Sequence, residues 1–472
     1  MTNQTARLMK LILVVDTVQF YRDVFRSRLL EELLSNPQNR IVVCCSFNLD
    51  TTTREFQHER LRIVPLLRKK PGKLASLLFS LARDLWTVEH PKSSFTQKRL
   101  IEALGNKNRG LSIRLAIARL LRLFSLTSQD VIRKVETLGE DEPFARLIDE
   151  EKPDAVVFSN MIPSDLECLK EARRRRIPLI LAVSSWDNPT SKGPLTVIPD
   201  HVLVWSAEMK REMAECHDIP EHHMSTIGVI YFENYFAPER LMPREQFCKQ
   251  LGISPDTRII QFATGDSAII RCNQPFLRLL QKIIAEQTFD HPCHLLVRVS
   301  PKDIYSLYKE FEDLPHTTIQ YPLGEGSAYG RHSWVPLAEE DYERASTLKN
   351  TDVLLTSGSS IILDAACFDL PVVNLAYDCG LELPPWLSVK RFFQYVHAQP
   401  VQQENATWMV HDDDELRAAL ADCVNHPEKR REERRRLLSR VVTHTDGKTC
   451  ERWVKAVGAY LTSDAPRRQL NL

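Results

Sequence analysis

The stretch Ser357-Gly358-Ser359-Ser360 lies between an apolar run and a helical segment, a placement that suits anion binding. The run is DVLLT (352–356), and the helical segment IILDAACF begins at residue 361. Hydroxyls and backbone N–H groups at a helix start converge where the helix dipole favours negative charge. The pattern predicts a phosphate cradle, with Asp364 one turn further on to accept hydrogen bonds from the ribose hydroxyls of a nucleotide. The alternative is that the serines only cap the helix.

A second polar loop, SSWDNPTSKGP (184–194), follows the apolar run IPLILAV (177–183). It contains one carboxylate, Asp187, and one amine, Lys192. A carboxylate can deprotonate an acceptor hydroxyl during group transfer, and a fixed cation can stabilise a departing phosphate. Asp187 is therefore the candidate base. Lys192, as a phosphate or acceptor contact, or Arg298, as a phosphate contact, is the candidate cation. The alternative is an ordinary turn, because Asp, Asn, Pro, Ser and Gly end strands for conformational reasons.

Apolar runs that alternate with amphipathic segments must position these loops. Runs at 11–16, 40–47, 154–160, 177–185 and 201–206 predict buried strands, and the pattern starts again at 258–266, 293–301, 317–322, 352–360 and 370–378. Fully apolar strands separated by helices are typical of parallel sheets covered on both faces. The fold class is therefore α/β, with two doubly wound, Rossmann-like domains. Such sheets bind ligands at their carboxyl edges, which places the expected active site in a cleft between the domains.

The predicted domain bounds are 1–235 for the first Rossmann-like domain, 236–445 for the second and 446–472 for a C-terminal helix and tail. The highly charged segment EKRREERRRLLSR (428–440) is interpreted as a solvated helix face. The segment CERWVKAVGAYL (450–461) predicts a terminal amphipathic helix.

Composition excludes several function classes. The 62 Lys and Arg residues balance 62 Asp and Glu residues, so no overall field favours nucleic acid. The 11 cysteines lack the dense spacing of a secreted disulfide framework and are expected to be reduced thiols. No Cys/His cluster has zinc spacing, so no metal is expected. Without a signal sequence or a run long enough to span a bilayer, the chain is expected to be cytoplasmic.

Residues 62–124 are strongly basic in this otherwise neutral chain. They contain 14 Lys or Arg residues and 3 Asp or Glu residues, a net charge of 14 − 3 = +11. KLASLLFSLARDLW places Leu74, Leu77, Leu78, Leu81 and Leu85 on one face, and RGLSIRLAIARLLRLF does the same with Ile113, Ile117, Leu120, Leu121 and Phe124. Basic amphipathic helices suit an anionic membrane surface on the inner face of the membrane. The alternative is that these faces pack into the core of the first domain.

The segment 351–378 resembles the donor-binding region of GT-B glycosyltransferases, in particular the Ser-Ser-Ile-Ile-x-Asp stretch of the CDP-glycerol glycerophosphotransferase and surface-polysaccharide transferase group. LLVRVSPKD (295–303) resembles that group's Val-Arg-x-His-Pro motif: Arg298 and Pro301 match, but Ser300 stands where histidine is expected. FATGDS (262–267) resembles the loop that approaches the donor phosphates, with Thr264 and Gly265. Its alternative is a plain strand-to-helix turn.

The loop at 184–194 resembles the group's His-Gly-Thr-Pro-Leu-Lys motif, with Thr190 and Lys192 matched and Asp187 the nearest replacement for the histidine. The resemblance extends from about residue 150 to 380. Residues 50–150 show none.

The resemblance implies a cytoplasmic glycosyltransferase, either free or peripheral on the membrane. It would move a sugar, or a related polyol phosphate, from a UDP-, GDP- or CDP/CMP-linked donor to a surface glycan or lipid-linked acceptor. It implies no tightly bound cofactor, no metal and no nucleic-acid partner. Two alternatives remain: a UDP-sugar epimerase on the same fold, and a catalytically inactive binding or scaffold protein, which the two histidine departures favour.

Overall fold

The computed structural model describes residues 9–67, 69–105, 109–161, 167–286, 289–325 and 334–463. The chain divides into two compact units. The first unit comprises residues 1–230 and 448–472, and the second comprises residues 231–447. Each is an α/β unit built on a parallel sheet.

The described part of the first unit contains a seven-stranded sheet in the order β3-β2-β1-β4-β5-β6-β7, and every neighbouring pair is parallel. Strands β1, β4, β5 and β6 are almost wholly buried because helices cover both faces. The strands are β1 (Lys10–Val15), β2 (Arg40–Cys45), β3 (Leu61–Pro65), β4 (Ala155–Phe158), β5 (Leu179–Ala182), β6 (His201–Val204) and β7 (Met224–Thr226).

Helices connect these strands, and several begin with the expected caps. Thr127 and Asp130 form a capping box, and the Ser206 hydroxyl accepts a hydrogen bond from the Met209 amide. The helices are α1 (Val18–Phe25), α2 (Leu29–Ser35), α3 (Leu49–Glu55), α4 (Lys73–Glu89), α5 (Ser94–Gly105), α6 (Arg109–Leu123), α7 (Ser128–Glu136), α8 (Glu142–Glu151), α9 (Glu167–Arg174), α10 (Asn188–Ser191) and α11 (Ala207–His217).

The described part of the second unit contains a six-stranded sheet in the order β10-β9-β8-β13-β14-β15, again parallel throughout, and a short antiparallel pair, β11 with β12. The strands are β8 (Arg258–Ala263), β9 (Cys293–Arg298), β10 (Thr317–Gln320), β11 (Gly324–Glu325), β12 (Val335–Pro336), β13 (Val353–Thr356), β14 (Val372–Leu375) and β15 (Trp408–Val410). The helices are α12 (Arg244–Leu251), α13 (Asn273–Ala285), α14 (Ala338–Asn350), α15 (Ile361–Cys367), α16 (Gln399–Gln403), α17 (Asp413–Asn425) and α18 (Arg431–Val441). Across the two units, short 3-10 helices lie at Glu221–His223, Ile230–Phe236, Pro238–Arg240, Tyr305–Phe311, Val389–Gln394 and Val396–Ala398.

The final helix, α19 (Thr449–Thr462), packs on the first unit although it follows the second in sequence. The Tyr460 ring stacks on His201 with the ring centres 4.7 Å apart, and α19 also contacts α2. Trp453 and Val457 are fully buried. The sequence predicted this helix but placed it in a separate C-terminal segment. Its apolar face is covered by the first unit.

The predicted fold class is confirmed by these two doubly wound sheets, and the cleft between them stays a prediction. Strands β3, β7 and β15, all at sheet edges, were missed. β3 contains Arg62 and is only partly buried, and β7 and β15 have three residues each. The charged helix α18 is not simply solvated. Arg434 is 1% exposed, and its guanidinium binds Asp369 and the carbonyls of Lys429 and Pro427. All 11 cysteines are free thiols.

Candidate functional site

The polar loops of the second unit meet at the point where its strand order reverses. From β8 the chain proceeds outward through β9 to β10, then returns to β13 on the other side of β8 and continues to β14 and β15. The pairing of Leu355 with Phe262 brings the residues after β13 beside those after β8. Loops 264–267 and 357–360 therefore lie next to each other at a topological switch point, where open α/β sheets bind ligands.

The loop after β13 leaves its three serine hydroxyls available. Ser360 precedes α15 but makes no side-chain capping bond, and within the described residues no hydrogen bond is assigned to the hydroxyls of Ser357, Ser359 or Ser360. Gly358 has φ +72°, a left-handed conformation that disfavours other residues, and an added Cβ would lie 3.0 Å from Cβ of Phe392. The helix-capping alternative is therefore not realised, and the loop is shaped by its glycine.

The loop after β8 is braced internally. Thr264 accepts a hydrogen bond from the Ser300 amide at 3.0 Å. The Gly265 amide donates to Oδ1 of Asn273 at 3.3 Å, and the Gly265 carbonyl accepts from Nδ2 of Asn273 at 2.7 Å. A Cβ on Gly265 would come within 2.2 Å of Cδ1 of Ile270. The glycine is needed for close packing, and its amide already donates a hydrogen bond to Asn273.

Arg298 is buried in two ion pairs. Its guanidinium binds Glu340 at 2.5 Å and Glu343 at 3.0 Å, and its side chain is 7% exposed. The positive charge is compensated by these carboxylates, since buried ion pairs persist only with close partners. Both ion pairs lie within the second unit, and the predicted contact of Arg298 with a phosphate stays a prediction.

Asp364 also lies inside the unit. Its Oδ1 accepts a hydrogen bond from the Tyr235 hydroxyl at 2.6 Å, and the residue is 5% exposed. Burial raises the pKa of Tyr235 well above its ordinary value, so the phenol keeps the proton that it donates. This hydrogen bond occupies one oxygen of the Asp364 carboxylate. The predicted contact of Asp364 with a ribose stays a prediction.

In the first unit, Asp187 lies directly before the short helix α10, at the carboxyl end of β5. Its two oxygens accept hydrogen bonds from the hydroxyls of Ser185 and Ser191, each at 2.5 Å. The side chain makes no capping bond to the helix backbone. The two serines fix the orientation of a partly exposed carboxylate and stabilise its ionised form. Its role as a base stays a prediction.

Lys192 follows α10 and is partly exposed. Its amide donates to the Asn188 carbonyl at 3.3 Å, and no ion pair is assigned to its ammonium among the described residues. The end of α11 holds α10 in place, since Nε2 of His217 lies 2.8 Å from the Pro189 carbonyl. Burial lowers the pKa of His217 to about 4, so the imidazole is neutral and must donate through Nε2.

Sequence reasoning missed Glu212, on α11. Burial raises its pKa to about 8, and the negative charges of Glu208, Asp187 and Glu215 add to this effect. A carboxyl whose pKa is strongly raised is typical of functional sites. The available signal was the helical spacing of three glutamates, at 208, 212 and 215, directly after a buried strand.

Glu212→Gln is expected to remove a pH dependence of stability. In the wild type the folded pKa of about 8 exceeds the ordinary 4.5. Between these values the unfolded state loses the proton that the folded state keeps, so the free energy of unfolding falls as pH rises. Glutamine cannot ionise, so the variant should become more stable relative to wild type from pH 5 to 8, measured by urea unfolding. Glu215→Gln, on the exposed side of α11, is the control; an equal gain in both variants would contradict the interpretation.

A further polar cluster marks the switch point of the first unit, between β1 and β4. Oδ2 of Asp16 accepts a hydrogen bond from Nδ2 of Asn160 at 2.7 Å, and the hydroxyls of Thr17 and Ser159 are 3.1 Å apart. In the sequence, Asp16 is only the last residue of the run at 11–16. No group of three or more metal-ligating side chains occurs among the residues that the structure describes.

The structure thus brings together Thr264, Gly265 and the 357–360 loop. Arg298 ends the neighbouring strand β9, and Glu340 and Glu343 compensate its charge. Asp187 and Lys192 lie together on the first unit. That the residues of the two units act on one ligand stays a prediction.

Part of the chain matches a known family. The model of the CDP-glycerol:poly(glycerophosphate) glycerophosphotransferase family matches residues 315–459, about a third of the chain, including the 357–360 loop and Asp364. The predicted resemblance to this group is confirmed over that segment, and residues 150–314 lie outside the match. A comparison with curated proteins gave no match.

Solved structures share the whole fold at low sequence identity. The UDP-GlcNAc 2-epimerase of Neisseria meningitidis bound to UDP-GlcNAc is 10% identical with a TM-score of 0.53, over 95% of this chain and 99% of that chain. The UDP-GlcNAc 2-epimerase of Methanocaldococcus jannaschii is 13% identical with a TM-score of 0.53, over 96% and 100%. A glycosyltransferase from Rickettsia africae is 11% identical with a TM-score of 0.52, over 97% and 100%. The chain therefore has the two-domain GT-B fold.

Proposed function

We propose that this protein is a transferase that moves a sugar, or a related polyol phosphate, from a nucleotide-activated donor to a surface glycan or lipid-linked acceptor. One observation carries the proposal. The segment matched by the glycerophosphotransferase family places three serine hydroxyls, without assigned partners among the described residues, at the switch point of the second unit.

The second unit would bind the donor. Ser357, Ser359 and Ser360 offer hydroxyl donors to phosphate oxygens, and Gly358 lets the backbone turn toward them. Hydrogen bonds from fixed donors to a charged oxygen are stronger than those between neutral groups. Asp364 remains the candidate ribose contact, in competition with its bond to Tyr235.

The first unit would bind and activate the acceptor. Asp187, held by Ser185 and Ser191, would remove the proton from the attacking hydroxyl, and Lys192 would contact the departing phosphate or the acceptor. Glu212, protonated at neutral pH, would donate a hydrogen bond near Asp187. No step requires a tightly bound cofactor.

An epimerase is the second candidate. It is favoured by the carboxyls of Asp16, Asp187 and Glu212 near the carboxyl ends of β1, β5 and β6, since epimerisation of a nucleotide sugar requires several acid and base groups. Similar epimerase structures establish only that the fold is compatible. An inactive scaffold protein is the third candidate.

A nucleotide screen by thermal unfolding tests the proposal. A ligand that binds only the folded state stabilises it by about 2.7 kcal/mol at 100 times its Kd, so a cognate donor should raise Tm by several degrees. We expect a shift with CDP-glycerol or a UDP- or GDP-sugar, but not with the corresponding nucleosides. Nucleotide release that depends on an added acceptor would indicate transfer, and a changed sugar without release would indicate epimerisation. If no nucleotide changes Tm, the nucleotide-donor proposal fails and the scaffold alternative is favoured.

A further inference from the structure

Helices α4, α5 and α6 expose an unusual amount of apolar surface. Of the 16 large apolar side chains that the described residues expose, nine lie in or directly after these helices: Leu74, Leu77, Leu100, Leu104, Ile113, Ile117, Leu120, Leu123 and Phe124. We call these nine residues the apolar face. Exposed apolar side chains that form one patch mark an interaction surface.

The helix α6 has two apolar sides, and only one is covered. Leu111, Leu115 and Ala118 are buried, and Ala118 belongs to a core cluster shared with α4 and α7. Ile113, Ile117, Leu120 and Phe124 follow each other at spacings of four, three and four, which places them on the opposite side as one stripe. Their exposed fractions are 50–77%. Core packing therefore accounts for the inner side and leaves the outer stripe unexplained.

A buried carboxylate holds the three helices together. Asp84 on α4 binds Arg99 on α5, and both its oxygens accept hydrogen bonds from Arg114 on α6, at 2.8 and 2.9 Å. Arg114 also donates to the Ser80 hydroxyl at 2.6 Å. These bonds hold α5 and α6 against α4, so the exposed apolar side chains lie on helices with defined positions.

The surroundings of the apolar face are positively charged. Residues 62–124 carry a net charge of +11. Lys70, Lys73 and Arg119 are exposed, and no ion pair is assigned to them within the described chain. A second copy of this chain would bring like charges together, which disfavours self-association through this surface. An anionic partner with an apolar interior complements both properties.

We propose that the apolar face, with Lys70, Lys73 and Arg119, is a docking surface for an anionic lipid bilayer. The leucine, isoleucine and phenylalanine side chains would enter the boundary between headgroups and acyl chains, and the cations would contact lipid phosphates. None of the described helices is long and apolar enough to cross a bilayer. The docking surface does not depend on the proposed transfer reaction.

Vesicle sedimentation tests this proposal with the purified full-length chain. We expect the protein to sediment with phosphatidylcholine vesicles that contain phosphatidylglycerol, and to remain in the supernatant with phosphatidylcholine alone. Binding should weaken with salt, because ions screen the attraction over about 10 Å at 0.1 M. Equal recovery in the supernatant with both vesicle types would overturn the proposal.

Two sets of variants separate the apolar and electrostatic contributions. Lys70→Gln, Lys73→Gln and Arg119→Gln together should weaken partitioning into anionic vesicles by about 100-fold, since each cation near the surface contributes about a factor of five. Ile117→Ser, Leu120→Ser and Phe124→Ser together should weaken it by about tenfold or more. All six side chains are exposed, so circular dichroism should show an intact fold.

The controls change matched residues in the second unit. Lys249→Gln, Lys282→Gln and Lys309→Gln remove three exposed positive charges, and Ile304→Ser, Leu307→Ser and Leu381→Ser remove three exposed apolar side chains. Both control sets should bind vesicles as the wild type does. Equal losses in the controls would overturn the proposal. Light scattering gives the oligomeric state of the wild type and of the Ile117, Leu120 and Phe124 variant. A wild-type dimer that these substitutions dissociate would also overturn the proposal, because a second copy of the chain would then cover the apolar face.

Discussion

Asp187→Asn is expected to lower the rate of transfer by about 10²-fold or more while the affinity for the donor stays nearly constant. The amide keeps the size of the carboxylate and can still accept hydrogen bonds from a serine hydroxyl, so α10 should retain its position. It cannot take a proton from the acceptor hydroxyl. The effect should therefore fall on kcat, measured as nucleotide release with a saturating acceptor, and not on donor binding measured by calorimetry.

Asp218→Asn is the matched control for this experiment. Asp218 ends α11 in the same unit, is exposed, and has φ +52°, a conformation that asparagine also adopts. It should transfer at the wild-type rate. If Asp187→Asn also transfers at the wild-type rate, Asp187 is not the base and the serines at 185 and 191 stabilise only a turn.

Ser359→Ala combined with Ser360→Ala is expected to weaken donor binding strongly without unfolding the second unit. Each lost hydrogen bond to a charged phosphate oxygen should cost about 1.5–3 kcal/mol, or roughly 10- to 150-fold in Kd. The free energy of unfolding should change by less than about 1 kcal/mol, because neither hydroxyl caps α15 in the structure. Calorimetric titration with the donor identified by the nucleotide screen measures the first quantity, and urea unfolding measures the second.

Ser439→Ala, on the exposed side of α18, is the control for the serine pair and should leave the Kd unchanged. Unchanged affinity in the double variant would contradict the phosphate cradle. A large loss of stability with unchanged affinity would instead show that the serines cap the helix in solution.

The sequence by itself determined the elements and their order. Continuous apolar runs such as LILVV predict strands buried on both faces, and the segments between them have helical spacing, so two doubly wound sheets follow from local pattern. The position of the Ser-Gly-Ser-Ser loop after a strand followed in the same way. The edge strands β3, β7 and β15 carried no such signal.

Only the tertiary structure decided what each polar side chain contacts. Arg298 and Asp364 have types and positions suited to a ligand, but Glu340, Glu343 and Tyr235 reach them from elements 42, 45 and 129 residues away. Periodicity assigns two apolar sides to α6 without showing which side a neighbour covers. It also predicts α19 without showing that the first unit buries it. Pairing between distant segments depends on how whole elements pack, and local pattern holds no information about that choice.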